Sequence, residues 1–117
     1  LPEEIWHIYG SEAREKNNSA YEKIIVQRPL KNVSKKLESM ITEIAIDTYN
    51  LLGCRDYGKV DIKVDKDNNP YVLELNANPF LNADDCLPES AKLIGMTYGD
   101  LIEIIMGIAI GRYKKPL

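Results

Sequence analysis

The chain has 117 residues, of which 44% are hydrophobic and 28% charged, so it can bury one core and form one compact unit. Its net charge is −3 and its Lys and Arg residues are dispersed, which excludes the basic stripe typical of nucleic-acid binding. Cys54 and Cys86 have no C-x-x-C spacing and the single histidine is His7, so neither a zinc site nor a disulfide scaffold is indicated. Reduced thiols predict a cytoplasmic protein.

The first half of the chain predicts two strands followed by a helix. Residues 4–9 and 21–27 carry strand-favouring side chains, and residues 10–20 form a polar loop between them. From residue 34 to residue 52, apolar side chains recur every three or four positions, which is the period of an amphipathic helix. Ser34 is a suitable N-cap, and Gly53 suits the end of this helix.

Residues 59–64 and 71–76 alternate apolar and polar side chains, and the segment between them is rich in turn-forming residues. This pattern predicts an antiparallel hairpin. If both apolar rows share the buried face, the register follows from the sequence. The predicted apolar pairs are Val64 with Tyr71, Ile62 with Leu73, and Val60 with Leu75.

The other face of this hairpin then carries Asp61 opposite Glu74 and Lys59 opposite Asn76. Two facing carboxylates repel each other unless a cation lies between them. Magnesium prefers oxygen ligands, typically one or two carboxylates completed by water and phosphate oxygens. The face is therefore a candidate magnesium site, although the same alternation is also typical of a hairpin with one solvated face.

A calcium loop is a second interpretation of the hairpin turn, because Asp65, Asp67 and Asn69 have the spacing of the start of an EF-hand. The sixth position is Pro70 instead of Gly, and the twelfth is Asn76 instead of Glu. The segment is therefore predicted to be only a turn.

The last part of the chain predicts two helices. One begins near Pro88, and Thr97 with Asp100 forms a capping box that opens the other, at residues 98–113. Asp100, Glu103 and Arg112 interrupt this apolar helix, so we expect a core helix and no membrane span. The order strand, strand, helix, strand, strand, helix, helix predicts an α+β fold in which helices cover one face of an antiparallel sheet.

The motif Asp61, Glu74-Leu75-Asn76-Ala77-Asn78-Pro79, preceded by the run from Gly53 to Lys59, resembles the carboxyl-terminal half of an ATP-grasp ligase. The resemblance is nearest to the D-alanine-D-alanine ligase group and covers about residues 35–113. It implies a metal site for Mg²⁺ or Mn²⁺ at Asp61, Glu74 and Asn76, and a contact with ATP at Glu74 and Asn76. It also implies that Arg14 or Lys16, on the polar loop, reaches the ATP phosphates.

The sequence departs from this group at two places. Lys59 stands where the dipeptide ligases carry an arginine, so the positive charge is kept and the bidentate fork is lost. After Pro79, the bulky Phe80 and the acidic Asp84 and Asp85 do not reproduce a pocket for an incoming amino-acid carboxylate. The two acidic residues either contact a basic amine or cap the helix near Pro88.

The resemblance implies an ATP-dependent carboxylate-amine ligase that acts on small molecules through an acyl phosphate, with Lys59 and Arg55 countering negative charge. The departures after Pro79 indicate a substrate other than D-alanine. The alternative is a non-catalytic domain that keeps the fold and binds cations or proteins. We expect residues 1–117 to be one sub-domain that needs an amino-terminal part of its own chain. By itself it is expected to be inactive and to self-associate through exposed edges.

Overall fold

The computed structural model describes residues 33–114, and the predicted strands at 4–9 and 21–27, together with the polar loop between them, lie outside this range. The described elements are, in chain order, α1 (Lys35–Leu51), β1 (Lys59–Val64), β2 (Pro70–Asn76), α2 (Cys86–Leu93) and α3 (Tyr98–Tyr113). The strands form an antiparallel hairpin, α1 packs against both strands, and α2 packs against α3. The α+β class is confirmed.

The boundaries of α1 follow from local chemistry. The Ser34 hydroxyl accepts a hydrogen bond from the Leu37 N–H at 3.1 Å, which satisfies a donor that the first turn leaves open. The helix ends before Gly53, whose φ of +68° lies in the left-handed region that glycine adopts without strain. Both predicted ends of this helix are confirmed, and its half-buried side faces the hairpin.

The predicted register of the hairpin is correct near Asp61 and wrong beyond it. Asp61 pairs with Glu74 as expected, but Ile62 pairs with Val72 and the register shifts between Asp61 and Ile62. Leu73 is therefore the extra residue of a β-bulge, and 65% of it is exposed. Tyr71, which was expected in the buried row, is also exposed.

The turn explains this shift. Asp65 N donates to Asn69 O at 3.0 Å and Asn68 adopts a φ of +63°, so the turn closes over residues 65–69 and β2 begins at Pro70. Pro70 has no N–H to give to the strand ladder, which suits the first position of a strand. The turn is one residue shorter than the apolar rows predict, and the bulge at Leu73 restores the predicted register at the other end.

The helices α2 and α3 share a small core formed by Pro88, Ala91 and Leu101. The capping box of α3 is confirmed, since Thr97 Oγ1 accepts from Asp100 N at 3.1 Å and Asp100 Oδ2 accepts from Thr97 N at 2.9 Å. The start of α2 was predicted two residues late, because the helix begins at Cys86 and Pro88 lies in its first turn.

The prediction that α3 is a core helix is wrong for the described structure. Leu101 is its only buried residue, whereas Met106 is 57% and Tyr113 79% exposed. The apolar residues of α3 surround the helix on all sides, and within residues 33–114 only α2 packs extensively against it. Among these residues no single helix has the length and apolar composition of a membrane span, while α2 and α3 have them only as a pair bent by 106°.

Candidate functional site

The polar face at the open end of the hairpin brings together Lys59, Asp61, Glu74 and Asn76, here called the site end. Asp61 lies opposite Glu74, and Lys59 lies opposite Asn76. Residues two apart on a strand point to the same face, so the four side chains share one surface. These are the residues that the sequence predicted to lie together.

The two carboxylates of the site end differ in their partners. Lys59 Nζ lies 3.1 Å from Asp61 Oδ1 and 3.3 Å from Asp61 Oδ2, and both side chains are about one third exposed. Glu74 is exposed and makes no hydrogen bond or ion pair with the described residues. An exposed ion pair of this kind contributes at most about 1 kcal/mol. The site end therefore holds one loosely paired carboxylate and one with open acceptor positions.

Asn76 presents its carboxamide oxygen in a defined orientation. Its Oδ1 accepts a hydrogen bond from Asn78 N at 3.0 Å. A backbone N–H can only donate, so this bond fixes which of the two amide atoms faces it. The oxygen has a second lone pair, which stays available to a ligand.

The donor set fits magnesium. Two carboxylates and one amide oxygen are hard oxygen ligands, and the open acceptors of Glu74 are the kind of group that such a cation binds. Within residues 33–114, no group of three His, Cys, Asp or Glu side chains forms a metal site. Asp61 and Glu74 are the two carboxylates that this face presents within those residues, and an ion held there would complete its shell with water and phosphate oxygens.

Gly58 allows the loop before β1 to approach the site end closely. A Cβ atom at this position would lie 2.9 Å from Cys54 Sγ and 3.4 Å from the Asn76 carbonyl oxygen. Real Cβ atoms do not come this close to sulfur, so a side chain here would move the loop or Asn76. Gly58 is therefore part of the packing that places Asn76.

The structure shows two contacts of this loop that the sequence does not predict. The Tyr57 hydroxyl donates to Asn78 Oδ1 at 2.7 Å. Asp56, which has a φ of +65°, accepts two hydrogen bonds from Arg112 on α3, at 3.1 Å and 2.9 Å. The Arg112 guanidinium lowers the pKa of the Asp56 carboxyl. Asp56 and Arg112 are 56 positions apart, so no local sequence pattern predicts that they pair.

The other predicted site residues are less closely connected to this face. Arg55 is exposed, and its side chain forms no hydrogen bond or ion pair with the described residues. Arg14 and Lys16 lie outside the described residues. Asp85 is the N-cap of α2, but its Oδ2 accepts from Asn82 N at 3.0 Å instead of capping the first turn. Phe80 is 78% exposed.

The acidic hairpin and the helix that packs against it agree with the predicted resemblance to an ATP-grasp ligase. The sequence profile described as "D-ala D-ala ligase C-terminus" matches residues 7–107. The chain belongs to the D-alanine-D-alanine ligase C-terminal family.

Individual relatives agree with this family. The chain is 36% identical to a D-alanine-D-alanine ligase of Pelotomaculum thermopropionicum over 78 residues, which are 67% of this chain and 24% of that protein. It is 33% identical over 81 residues to an uncharacterized protein of Sinorhizobium fredii, covering 69% of this chain and 24% of that protein. The chain thus spans about a quarter of the length of these relatives.

The solved structure of the Bacillus anthracis D-alanine-D-alanine ligase complexed with ATP is similar in fold. Its TM-score is 0.68 at 26% identity, and the alignment covers 74% of this chain and 31% of that one. This alignment is much longer than the hairpin, which spans residues 59–76. It confirms the predicted resemblance to the ligase fold.

Proposed function

We propose that this chain is the metal-binding part of an ATP-dependent carboxylate-amine ligase. The observation that carries the proposal is the pairing of Asp61 with Glu74 beside Asn76, in a chain of the D-alanine-D-alanine ligase C-terminal family. The ATP complex of the Bacillus anthracis relative supports ATP as the nucleotide. Asp61, Glu74 and Asn76 would hold Mg²⁺, which when bound neutralises phosphate charge and orients the γ-phosphate for transfer.

The proposed reaction has two steps. An oxygen of the substrate carboxylate attacks the γ-phosphorus of ATP, and the bond between this phosphorus and the oxygen that bridges to the β-phosphate breaks. ADP departs, and the substrate has become an acyl phosphate. An amine then attacks the acyl carbon, inorganic phosphate leaves with the bonding electron pair, and the amine loses a proton. The product is an amide. Negative charge develops in both steps, and the protein must stabilise it.

Lys59 and Arg55 are the proposed cationic groups of this chemistry. The Lys59 ammonium lies on the same face as the three oxygen ligands and is bound by Asp61 in this structure. In such a ligase the Lys59 ammonium would stabilise the developing oxyanion as a point charge, without the bidentate geometry of arginine. Lys59→Arg is therefore expected to keep activity, whereas Lys59→Met removes the charge and is expected to lose it.

The proposed amine substrate is not D-alanine. Phe80 follows the buried Pro79 and is exposed, and the loop after it carries acidic residues. Negative charge there repels the carboxylate of an incoming amino acid and favours a neutral or basic amine. This part of the proposal is tested by comparing simple amines with amino acids as acceptors in the full-length protein.

The decisive experiment measures ADP release by the full-length protein when ATP, Mg²⁺, a carboxylate and an amine are supplied. Glu74→Ala is expected to abolish release that depends on both substrates. The matched control is Asp67→Ala, which removes an exposed acidic side chain at the opposite end of the same hairpin. Release that is the same in both variants would contradict the ligase and favour the alternative of a non-catalytic binding domain.

A further inference from the structure

Two hydrogen bonds in series connect the loop before β1 to Asn76. The Tyr57 hydroxyl donates to Asn78 Oδ1 at 2.7 Å, and Asn78 N donates to Asn76 Oδ1 at 3.0 Å. Asn78 takes part in both bonds, one through its side chain and one through its main chain. The carboxamide oxygen that we assign to magnesium is therefore connected to Tyr57 through a single residue.

Asn78 needs an external partner to keep this place. It lies beyond the end of β2 and is exposed, so no strand pairing holds it. Pro79, on its carboxyl side, is buried, whereas Asn78 itself is exposed. The short O–H···O bond from Tyr57 is the contact that orients this side chain.

Tyr57 is well fixed on its own side. Its carbonyl oxygen accepts from Cys54 Sγ at 3.4 Å, and its N–H donates to Arg55 O at 2.7 Å. The preceding residue, Asp56, is joined to Arg112 of α3 by two hydrogen bonds between oppositely charged groups. The hydroxyl is therefore presented from a segment that is anchored to α3.

We propose that Tyr57 is a positioning residue for the magnesium ligand Asn76. Its hydroxyl holds Asn78, and the Asn78 N–H in turn holds the Asn76 carboxamide so that the oxygen faces the site end. Tyr57 acts through Asn78 and does not itself touch the ion. The inference rests on the proposed function, because it assigns a purpose to the orientation of a ligand of the ATP-bound metal. Outer partners of this kind orient the ligands that bind the metal.

The test substitutes Tyr57→Phe in the full-length protein and titrates Mg²⁺ at saturating ATP. We expect the half-saturating Mg²⁺ concentration to rise about 10-fold, the usual lower effect of losing such an outer partner. The maximal rate at saturating Mg²⁺ should change little, since the ligands themselves remain. Tyr71→Phe is the matched control, because its hydroxyl donates to Asp65 at 3.3 Å at the other end of the same hairpin.

A second measurement does not depend on activity. Amide hydrogen exchange of Asn78, followed by NMR without nucleotide, should be faster in Tyr57→Phe and unchanged in Tyr71→Phe. The double variant Tyr57→Phe/Asn78→Ala should need no more Mg²⁺ than Asn78→Ala alone, since both changes break the same connection.

The outcomes separate the two proposals. A Tyr57→Phe protein that matches Tyr71→Phe in Mg²⁺ dependence overturns the positioning role, even if Asn78 exchange is faster, because the bond would then serve only the fold. If the wild-type protein releases no ADP, the proposed function fails, and unchanged exchange in Tyr57→Phe would overturn the connection from Tyr57 to Asn78 independently.

Discussion

The two ends of the hairpin carry similar acidic residues and use them differently. At the turn end, Asp65 accepts hydrogen bonds from the N–H groups of Asp67 and Asn69, from the Asn69 side chain and from the Tyr71 hydroxyl. At the site end, Glu74 accepts none from the described residues. A carboxylate satisfied by its neighbours stabilises the fold, while one with open acceptors is available to a ligand.

The same substitution at each end gives the sharpest test of this contrast. Asp61→Asn should weaken Mg²⁺ binding by the full-length protein at least about 10-fold, because losing a direct ligand costs no less than losing an outer partner. It should disturb the fold little, since the one hydrogen-bonding partner of the Asp61 side chain among the described residues is Lys59, in a partly exposed ion pair. Isothermal titration with Mg²⁺ and ATP measures the first effect, and chemical denaturation the second.

Asp65→Asn should do the reverse and leave Mg²⁺ binding unchanged while loosening the turn. The amides of Asp67 and Asn69 lose a charged acceptor, so their hydrogen exchange should become faster. Equal losses of Mg²⁺ affinity in Asp61→Asn and Asp65→Asn would break the distinction between the two ends.

Steric crowding is a second difference between the ends, and Gly58→Ala tests it. The added methyl group meets Cys54 Sγ and the Asn76 carbonyl oxygen, so we expect a loss of about 1–3 kcal/mol in the free energy of unfolding. Gly107→Ala is the control, because a Cβ there meets nothing within 4 Å and helix propensity should make the change stabilising by up to about 1 kcal/mol.

Cys54→Ala combined with Gly58→Ala isolates the cause of that loss. Removing the sulfur relieves the nearest contact, so the pair should be less destabilised than the sum of the single variants. Denaturation curves that shift in the same direction for Gly58→Ala and Gly107→Ala would argue against crowding at the site end.

The smallest expected effect is a dependence of the turn on pH. The backbone hydrogen bond from Asn69 lowers the pKa of Asp65, followed by the bond from the Asn69 side chain. A carboxyl with a lowered folded pKa stabilises the fold above its unfolded pKa of about 3.9, and the contribution is lost as the pH falls through the folded value. The NMR shift of the Asn69 amide should therefore move below about pH 4.

Asp65→Asn serves as the control for this titration, since an amide has no proton to gain there. The Asn69 amide shift of this variant should stay constant over the same acid range. A variant that keeps the wild-type acid response would show that another group controls the turn.

Much of the candidate site could be predicted because its information is local. The alternation along β1 and β2 places Asp61 and Glu74 on one face whatever surrounds them, and the motif through Pro79 supports a ligand set. The capping residues Ser34 and Thr97 could also be predicted, because each accepts a hydrogen bond from an N–H in the first turn of its own helix.

The hairpin register was only half predictable. The apolar rows give a correct pairing at Asp61, but the bonds of Asp65 close the turn one residue earlier than those rows require. Turn chemistry and burial each favour one register, and a bulge accommodates both. The sequence indicates both the register that the turn favours and the register that burial favours, but it does not indicate which one is adopted at each position.

By itself, the sequence determined the α+β class, the capped helices and the acidic face of the hairpin, since these depend on neighbours within a few residues of the chain. Only the tertiary structure decided that Tyr57 contacts Asn78, that Arg112 binds Asp56, and that several large apolar side chains of α3 stay about half exposed. Contacts between residues that are distant in the sequence depend on how the helices and strands pack in space. The spacing of apolar residues along one helix or strand does not predict that packing.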